Sequence, residues 1–254
     1  MPEPAERQPN PRDDVILVLR AGDAIAEVAA QHGEFASWIE RATDEVWRGG
    51  WAEHDLRTSE PAPDPSGFAA VIITGSIASV TERLAWMETA AEYIRAVVAS
   101  GTPVLGICFG HQLMAYALGG DVQRNPRGRE IGTVALSTAA EDPIVAGLPR
   151  LIAVNSSHVD TVTVLPPGAE VVGSTALDAH AIVAFAEAAR GVQFHPEMDD
   201  HVMRGYIEAR RGCLVEAGLD PDAIMSSAVD TPMAREVLRN FIRHFVLASL
   251  RNAA

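Results

Sequence analysis

Residues 103–120, PVLGICFGHQLMAYALGG, pass without an Asp, Glu, Lys or Arg from a short apolar run into a longer one. The first part, Pro103 to Ile107, has the length and branching of a buried strand, and the second, from Gly110 on, that of an apolar helix. Cys108 stands at the turn between them, with Gly106 and Gly110 on either side. A residue at so abrupt a strand-to-helix turn takes a strained backbone conformation, and flanking glycines let neighbouring backbones approach. This is the logic of a nucleophile elbow, with cysteine where serine is commoner. Cys108 would then lie at a helix N-terminus, where unpaired N–H groups and the helix dipole favour thiolate over thiol.

Outward from the elbow the pattern repeats. Val15 to Leu19 (VILVL) and Ala69 to Thr74 (AAVIIT) are continuous apolar runs rich in β-branched residues, the signature of strands buried on both faces. Between AAVIIT and PVLGI, the segment Thr81 to Ser100 carries Leu84, Met87, Ala91, Ile94 and Val98 at three- and four-residue steps, as on one helix face, and Gly101 stops it. With Ala24 to Arg41 as a further helix, the alternation predicts an α/β fold: an open, mainly parallel sheet flanked by helices. From Gly132 to Val172 the β-branched segments TVALST, LIAVNS and TVTVL are separated by proline and glycine, which predicts a small antiparallel addition. Ala181 to Phe185 (AIVAF) and Arg190 to Phe194 (RGVQF) read as two strands joined by a short turn. Helices are expected near Asp200 to Ala217 and Pro232 to Leu250, with Gly218 to Ser227 a loop between them. Residues 15–254 read as one domain, with 199–254 its helical C-terminal part and 1–14, which carries four prolines, a disordered tail.

Composition narrows the function. The chain has 254 residues, 48% of them apolar, enough for a sizeable core. Twenty Lys and Arg against 34 Asp and Glu give a net charge of −14, which repels a phosphate backbone and argues against nucleic-acid binding. Two cysteines 105 positions apart, Cys108 and Cys213, make neither a zinc spacing nor a disulfide framework. Together with the lack of a secretory apolar segment, they fit a reducing, cytoplasmic setting. No uncharged apolar stretch reaches the roughly 20 residues needed to cross a bilayer.

A thiolate needs a base to manage protons and a group to hold that base in one tautomer. Gly191 to Glu197, GVQFHPE, offers both at a strand end: His195 as the base, and Glu197 two positions on, with Pro196 stiffening the backbone between them. GICFGHQ followed about 85 residues later by FHPE resembles the class I glutamine amidotransferases. The likeness covers Val15 to Glu197 and is nearest to stand-alone members similar to the amidotransferase half of GMP synthase. It implies a Cys-His-Glu catalytic triad of Cys108, His195 and Glu197, in which the cysteine attacks a γ-carboxamide, forms a γ-glutamyl thioester and releases ammonia. It also implies an oxyanion hole from the backbone N–H groups of Gly75 and Phe109, with Ser76 standing where many members have glycine. Gln112, one helical turn beyond the elbow, matches a substrate-contacting glutamine. NSSHVD, Asn155 to Asp160, resembles the SHGD-type segment around the substrate's α-amino and α-carboxylate groups, so Ser157, Val159 and Asp160 become substrate-binding candidates, with Val159 in place of the commoner glycine.

The remaining features read as structural. Cys213 sits in a helical run without glycine punctuation, His111 is expected on the exterior of the helix after the elbow, and the tryptophans are packing residues. Asp199-Asp200-His201 is too compressed in sequence to converge on a metal, and neither a metal nor any cofactor is expected. Neither a G-x-x-x-x-G-K-[ST] loop nor an SGG-x-DS loop occurs, so no acceptor-activating domain is legible. Three readings follow: a glutaminase subunit passing ammonia to a synthase partner chain, a partner-independent hydrolase or transferase of γ-glutamyl small molecules, or a non-catalytic regulatory protein on the same scaffold.

Overall fold

Nine strands of a single sheet are laid down in the order β2-β1-β3-β4-β11-β10-β9-β6-β7. The structure, a computed structural model, describes residues 14–253, so the expected tail, Asp14 apart, lies outside the described residues. Strands β1 (Val15–Arg20), β2 (Gly50–Asp55), β3 (Ala70–Ile73), β4 (Val104–Ile107) and β11 (Ala189–Val192) run parallel to one another. Beyond β11 the pairing turns antiparallel through β10 (Ile182–Ala186), β9 (Glu170–Ser174), β6 (Glu130–Thr138) and β7 (Leu151–His158). A separate two-stranded antiparallel sheet joins β5 (Asp121–Arg124) to β8 (Asp160–Val164). The fold is thus the expected helix-flanked sheet with an antiparallel addition.

Alternation along β1 shows why the parallel runs are apolar throughout. Ile16 and Val18 face one core, with Ala36 and Ile39 of α2 (Phe35–Thr43) and Val237 and Phe241 of α8 (Pro232–Phe241). Leu17 and Leu19 face the other, with Met87 and Ile94 of α3 (Ala85–Ser100) and Leu113 of α4 (Phe109–Ala117). Each such side chain, fully buried, contributes about 1.5–3 kcal/mol of apolar transfer.

Several sequence expectations are corrected. The helix expected over Ala24 to Arg41 is two, α1 (Ala26–His32) and α2, because Gly33 at φ 86° takes the chain out of helical geometry. Leu84 lies at the N-cap of α3 and is 42% exposed, whereas Met87, Ala91 and Ile94 are buried as expected. The segment read as a loop, Gly218 to Ser227, contains helix α7 (Pro221–Ser227): the Asp220 carboxylate accepts from the N–H groups of Asp222 and Ala223, and Pro221 fills the first turn, where its missing donor costs nothing. The helix expected over Asp200 to Ala217 breaks at Arg210 into α5 (Asp200–Ala209) and α6 (Arg211–Glu216). The last helix continues from α8 through a π-helical stretch, Ile242–Val246, into α9 (Leu247–Ala253). None of the helices among the described residues is long and apolar enough to cross a membrane.

Candidate active site

The turn after β4 has the geometry of an elbow. Cys108 adopts φ 52° and ψ −102°, and among the described residues it shares positive φ, glycines aside, only with Arg83. Such a conformation costs about 1–3 kcal/mol and persists only where the surroundings dictate it. Here they do. A Cβ on Gly106 would stand 2.6 Å from the Gly110 backbone, and one on Gly110 2.4 Å from the Ile73 carbonyl oxygen, so β3, β4 and α4 pack closer than side chains allow. The Cys108 N–H donates to the Val192 carbonyl at 2.8 Å, tying the elbow to the end of β11.

Three residues beyond that carbonyl lies His195. Its backbone N–H donates to Asn155 O at 2.8 Å, while Nδ1 lies 2.7 Å from Oε1 of Glu197. Phe35 stacks on the imidazole at 6.2 Å between centroids, and Gly75 lies so close that a Cβ there would be 3.0 Å from His195 Cε1. Cys108, His195 and Glu197 are all buried. Burial alone would raise the Cys108 thiol, but the charge of His195, with that of His158 behind it, holds it below its ordinary value. Burial likewise opposes charge on His195, yet Glu197 and the Cys108 thiolate carry the imidazole up to about 10. The two directions agree, each group favouring the charged form of the other.

A polar network extends from the sulfur. The Gln193 side-chain amide donates to Cys108 Sγ at 3.5 Å and its Oε1 accepts from Gln112 Nε2 at 3.0 Å. Gln112 Nε2 also donates to the Asp160 carbonyl at 2.9 Å, so this expected substrate contact spends its amide hydrogens on the protein. Both ring nitrogens of His158 face acceptors: Nδ1 is 2.9 Å from the Asp160 carbonyl and Nε2 3.1 Å from the Glu130 carboxylate. The Asp160 carbonyl and an ionised Glu130 each call for an N–H, an arrangement that favours the imidazolium. Burial would lower it, and hydrogen bonding to Glu130 and the charge on Cys108 outweigh that and raise it. Glu130 in turn is pushed up by burial and brought below its usual value by His158 and by Thr175, whose hydroxyl donates at 2.7 Å.

A cavity of about 430 Å³ is lined by Cys108, Phe109, Gln112, Ser76 and the segment Ser157 to Asp160. Ser157 Oγ is buried without a hydrogen-bond partner. Ser76 Oγ accepts from the Ala78 N–H, Val159 is half-buried with its carbonyl taken by the Asn125 N–H at 2.8 Å, and Asp160 accepts from the Ser79 hydroxyl. Phe109 stacks on Trp86 at 5.7 Å between centroids, and its backbone opens α4. All ten residues expected at the site are therefore brought to one region: seven line the cavity, Gly75 lies against the His195 imidazole, and Glu197 holds that ring by its Nδ1. No group of three or more His, Cys, Asp or Glu side chains among the described residues could hold a metal ion.

A family model described as "Glutamine amidotransferase class-I" matches residues 51–210. The chain belongs to the class I glutamine amidotransferase family. A GMP synthase [glutamine-hydrolyzing] of Thermomicrobium roseum is 37% identical over 180 residues, 71% of this chain but 32% of its own length, so this amidotransferase spans about a third of that relative. A GMP synthase [glutamine-hydrolyzing] of Parafrankia is 39% identical over 165 residues, 64% of this chain and 29% of its own length. A crystal structure of a glutamine amidotransferase from Thermotoga maritima superposes with a TM-score of 0.71 at 22% identity, covering 91% of this chain and 97% of that one, which establishes likeness of fold.

Sequence reasoning missed several residues of this amidotransferase. His158 was in plain view inside NSSHVD, but its partner Glu130 lies 28 positions earlier, opposite it in the β6–β7 register. Gln193, inside GVQFHPE, could have been read as inward-facing by strand alternation with Val192. Phe35 carries no local signal. His111, expected on the helix exterior, is instead wholly buried: its ring lies 5.4 Å from Phe185 and a Cβ on Gly191 would meet its Nδ1, so it packs against β11, and burial lowers it to about 3. Cys213 is exposed on α6.

Proposed function

We propose that this amidotransferase hydrolyses the γ-amide of glutamine or of a γ-glutamyl compound through a thioester on Cys108. The observation that carries the reading is the strained Cys108 at a helix N-terminus beside an imidazole whose other nitrogen is held 2.7 Å from Glu197. In the first half-reaction the thiolate adds to the carboxamide carbon, and the displaced electron pair on oxygen is met by the N–H groups of Phe109 and Gly75. The His195 imidazolium passes its Nε2 proton to the amide nitrogen, the C–N bond breaks, and ammonia leaves. Neutral His195 then takes a proton from water, hydroxide adds to the thioester, the C–S bond breaks, and glutamate departs with the thiolate–imidazolium pair restored. Glu197 orients the ring and balances its charge. Ser76, Gln112, Ser157, Val159 and Asp160 form the substrate cradle, the unpartnered Ser157 hydroxyl offering a ready contact. The unit is residues 15–254 with 199–254 as its helical part, and where glutamine is the substrate the ammonia is passed to a synthase. A reducing compartment such as the cytoplasm suits a free thiol of this kind.

The test is to incubate the protein with glutamine and with a panel of γ-glutamyl amides, quench with acid, and seek by mass spectrometry a glutamyl adduct on the peptide containing Cys108. An adduct on Cys213 instead, or none with any compound, overturns the reading. Glu197→Gln is expected to slow single-turnover acylation by about 10²-fold, less than His195→Ala, because it keeps the shape of the contact and removes only its charge. Acylation unchanged across the pH range would mean that another group orients His195.

A further inference from the structure

Three guanidinium groups border the same cavity as the Cys108 sulfur: Arg124 at the end of β5, Arg129 just before β6, and Arg210 at the break between α5 and α6. They stand out in a chain whose net charge is −14. Half of the arginines among the described residues are paired with carboxylates, as Arg57 is with Asp23 and Asp55 and Arg190 with Asp142. Among the described residues none of these three makes an ion pair with an Asp or Glu side chain, although Glu82 and Asp160 line the same cavity. Arg210 is the most constrained. Its guanidinium lies 4.8 Å over the Tyr206 ring, and its Nη1 is buried without a hydrogen-bond partner. Arg129 is near enough for its charge to oppose that of Arg210. A cation with a buried unused donor costs folding energy that an anion in the cavity would recover.

Glutamine supplies one carboxylate, and the cradle already has backbone and the Ser157 hydroxyl for its α-groups. A volume of about 430 Å³ falls within the roughly 300–1,000 Å³ of sites that enclose ligands larger than a free amino acid. We infer that Arg129 and Arg210, with Arg124 at the rim, form a subsite for a second carboxylate, borne by the leaving group of the substrate. The substrate class is then a γ-glutamyl amino acid, whose isopeptide C–N bond is broken with water while the amino acid leaves as the free amine carrying the proton given by His195. This deepens the thioester reading and rests on it for turnover, though binding at the subsite does not require chemistry.

The experiment compares γ-glutamylglycine with γ-glutamylglycinamide, which differ only in the distal charge. Affinity is measured by calorimetry on the Cys108→Ala protein and kcat/KM on the unmodified one. A charged bidentate contact predicts a preference of about 10- to 100-fold for the carboxylate. In Arg210→Gln and in Arg129→Gln that ratio falls toward one, and Arg210→Lys restores part of it. Equal binding of the two compounds overturns the subsite. So does a loss in Arg210→Gln that is the same for both peptides and for glutamine, since the arginine would then be reading the α-carboxylate. If the peptides bind with the expected preference but no compound yields an adduct on Cys108, the subsite stands and the thioester reading falls. If thioester forms from glutamine without any preference between the peptides, the reverse holds.

Discussion

Residues 106–112 and residues 155–160 border one cavity, yet they are held there by different forces. The elbow segment is fixed by excluded volume: Gly106 and Gly110 press against backbone atoms that cannot yield, and Cys108 is forced to φ 52°. The β7–β8 segment is fixed by hydrogen bonds and charge, through Glu130, His158, and the Asp160 carbonyl that also receives Gln112. A site fixed by shape fails by losing stability, whereas one fixed by charge fails along the pH axis. Placing one segment of each kind on either side of a thiol makes its position insensitive to pH and its ionisation adjustable.

That contrast can be broken at several points, beginning with the chemistry itself. Cys108→Ala is expected to reduce turnover by at least about 10⁴-fold, some 5.5 kcal/mol in the barrier, while chemical denaturation finds stability within about 1 kcal/mol of the unmodified protein. A large stability loss would mean that the sulfur, not the glycines, holds the elbow. Gly110→Ala should cost about 3 kcal/mol, because its Cβ would lie 2.4 Å from the Ile73 carbonyl oxygen, and a change under about 1 kcal/mol would show that α4 can slide.

Glu130→Gln should cost about 2 kcal/mol. Its pH dependence has a definite sign. Glu130 is lowered on folding, so its contribution is present above its unfolded value of about 4.3 and fades as pH falls through the folded one. His158 is raised, so its contribution is complete below its unfolded value of about 6.5 and fades as pH rises through the folded one. The difference between variant and parent should therefore be greatest between about pH 4.3 and 6.5, and a difference flat from pH 4 to 9 would deny the ion pair. A subtler shift concerns alkylation by iodoacetamide. In the native protein Cys108 should react with a midpoint below the ordinary thiol value of about 8.5, and Glu130→Gln should move that midpoint upward if it weakens the charge on His158. The smallest effect is expected of Cys213→Ala, exposed on α6, with under about 0.5 kcal/mol in stability and no change in turnover.

Much of the first segment was legible because its determinants are local. β1, β3 and β4 announce themselves by uninterrupted branched residues, and glycine at 106 and 110 marks the close approach directly. The strands that escaped notice, β2 (GWAEHD), β5 (DVQR) and β9 (EVVGS), are polar or small, and β2 pairs on only one side, at the sheet edge, where one-sided burial removes the apolar signal. The second segment depends on register. Glu130 meets His158 only because β6 and β7 pair in one frame, and Arg210 reaches the cavity only because α5 stops where a continuous helix was expected. His111 was misjudged for a related reason: every residue of α4 except Tyr116 is buried, so the helix has almost no exterior on which to place it.

The pairing of β4 with β11 also bears on how the protein is made. Ile107 and Val192 lie side by side in the sheet but 85 residues apart in the chain. At synthesis rates of about 5–20 residues per second, roughly 4–17 s pass between the emergence of one and of the other. Throughout that interval one edge of β4 has no neighbour, the Cys108 N–H has no acceptor, and neither His195 nor its carboxylate yet exists. The thiol of the nascent chain lacks the partners that lower it in the folded protein, and meets them only when β11 has been inserted as a long-range parallel strand. Assembly of the surroundings of Cys108 is thus timed by the slowest kind of contact in the sheet.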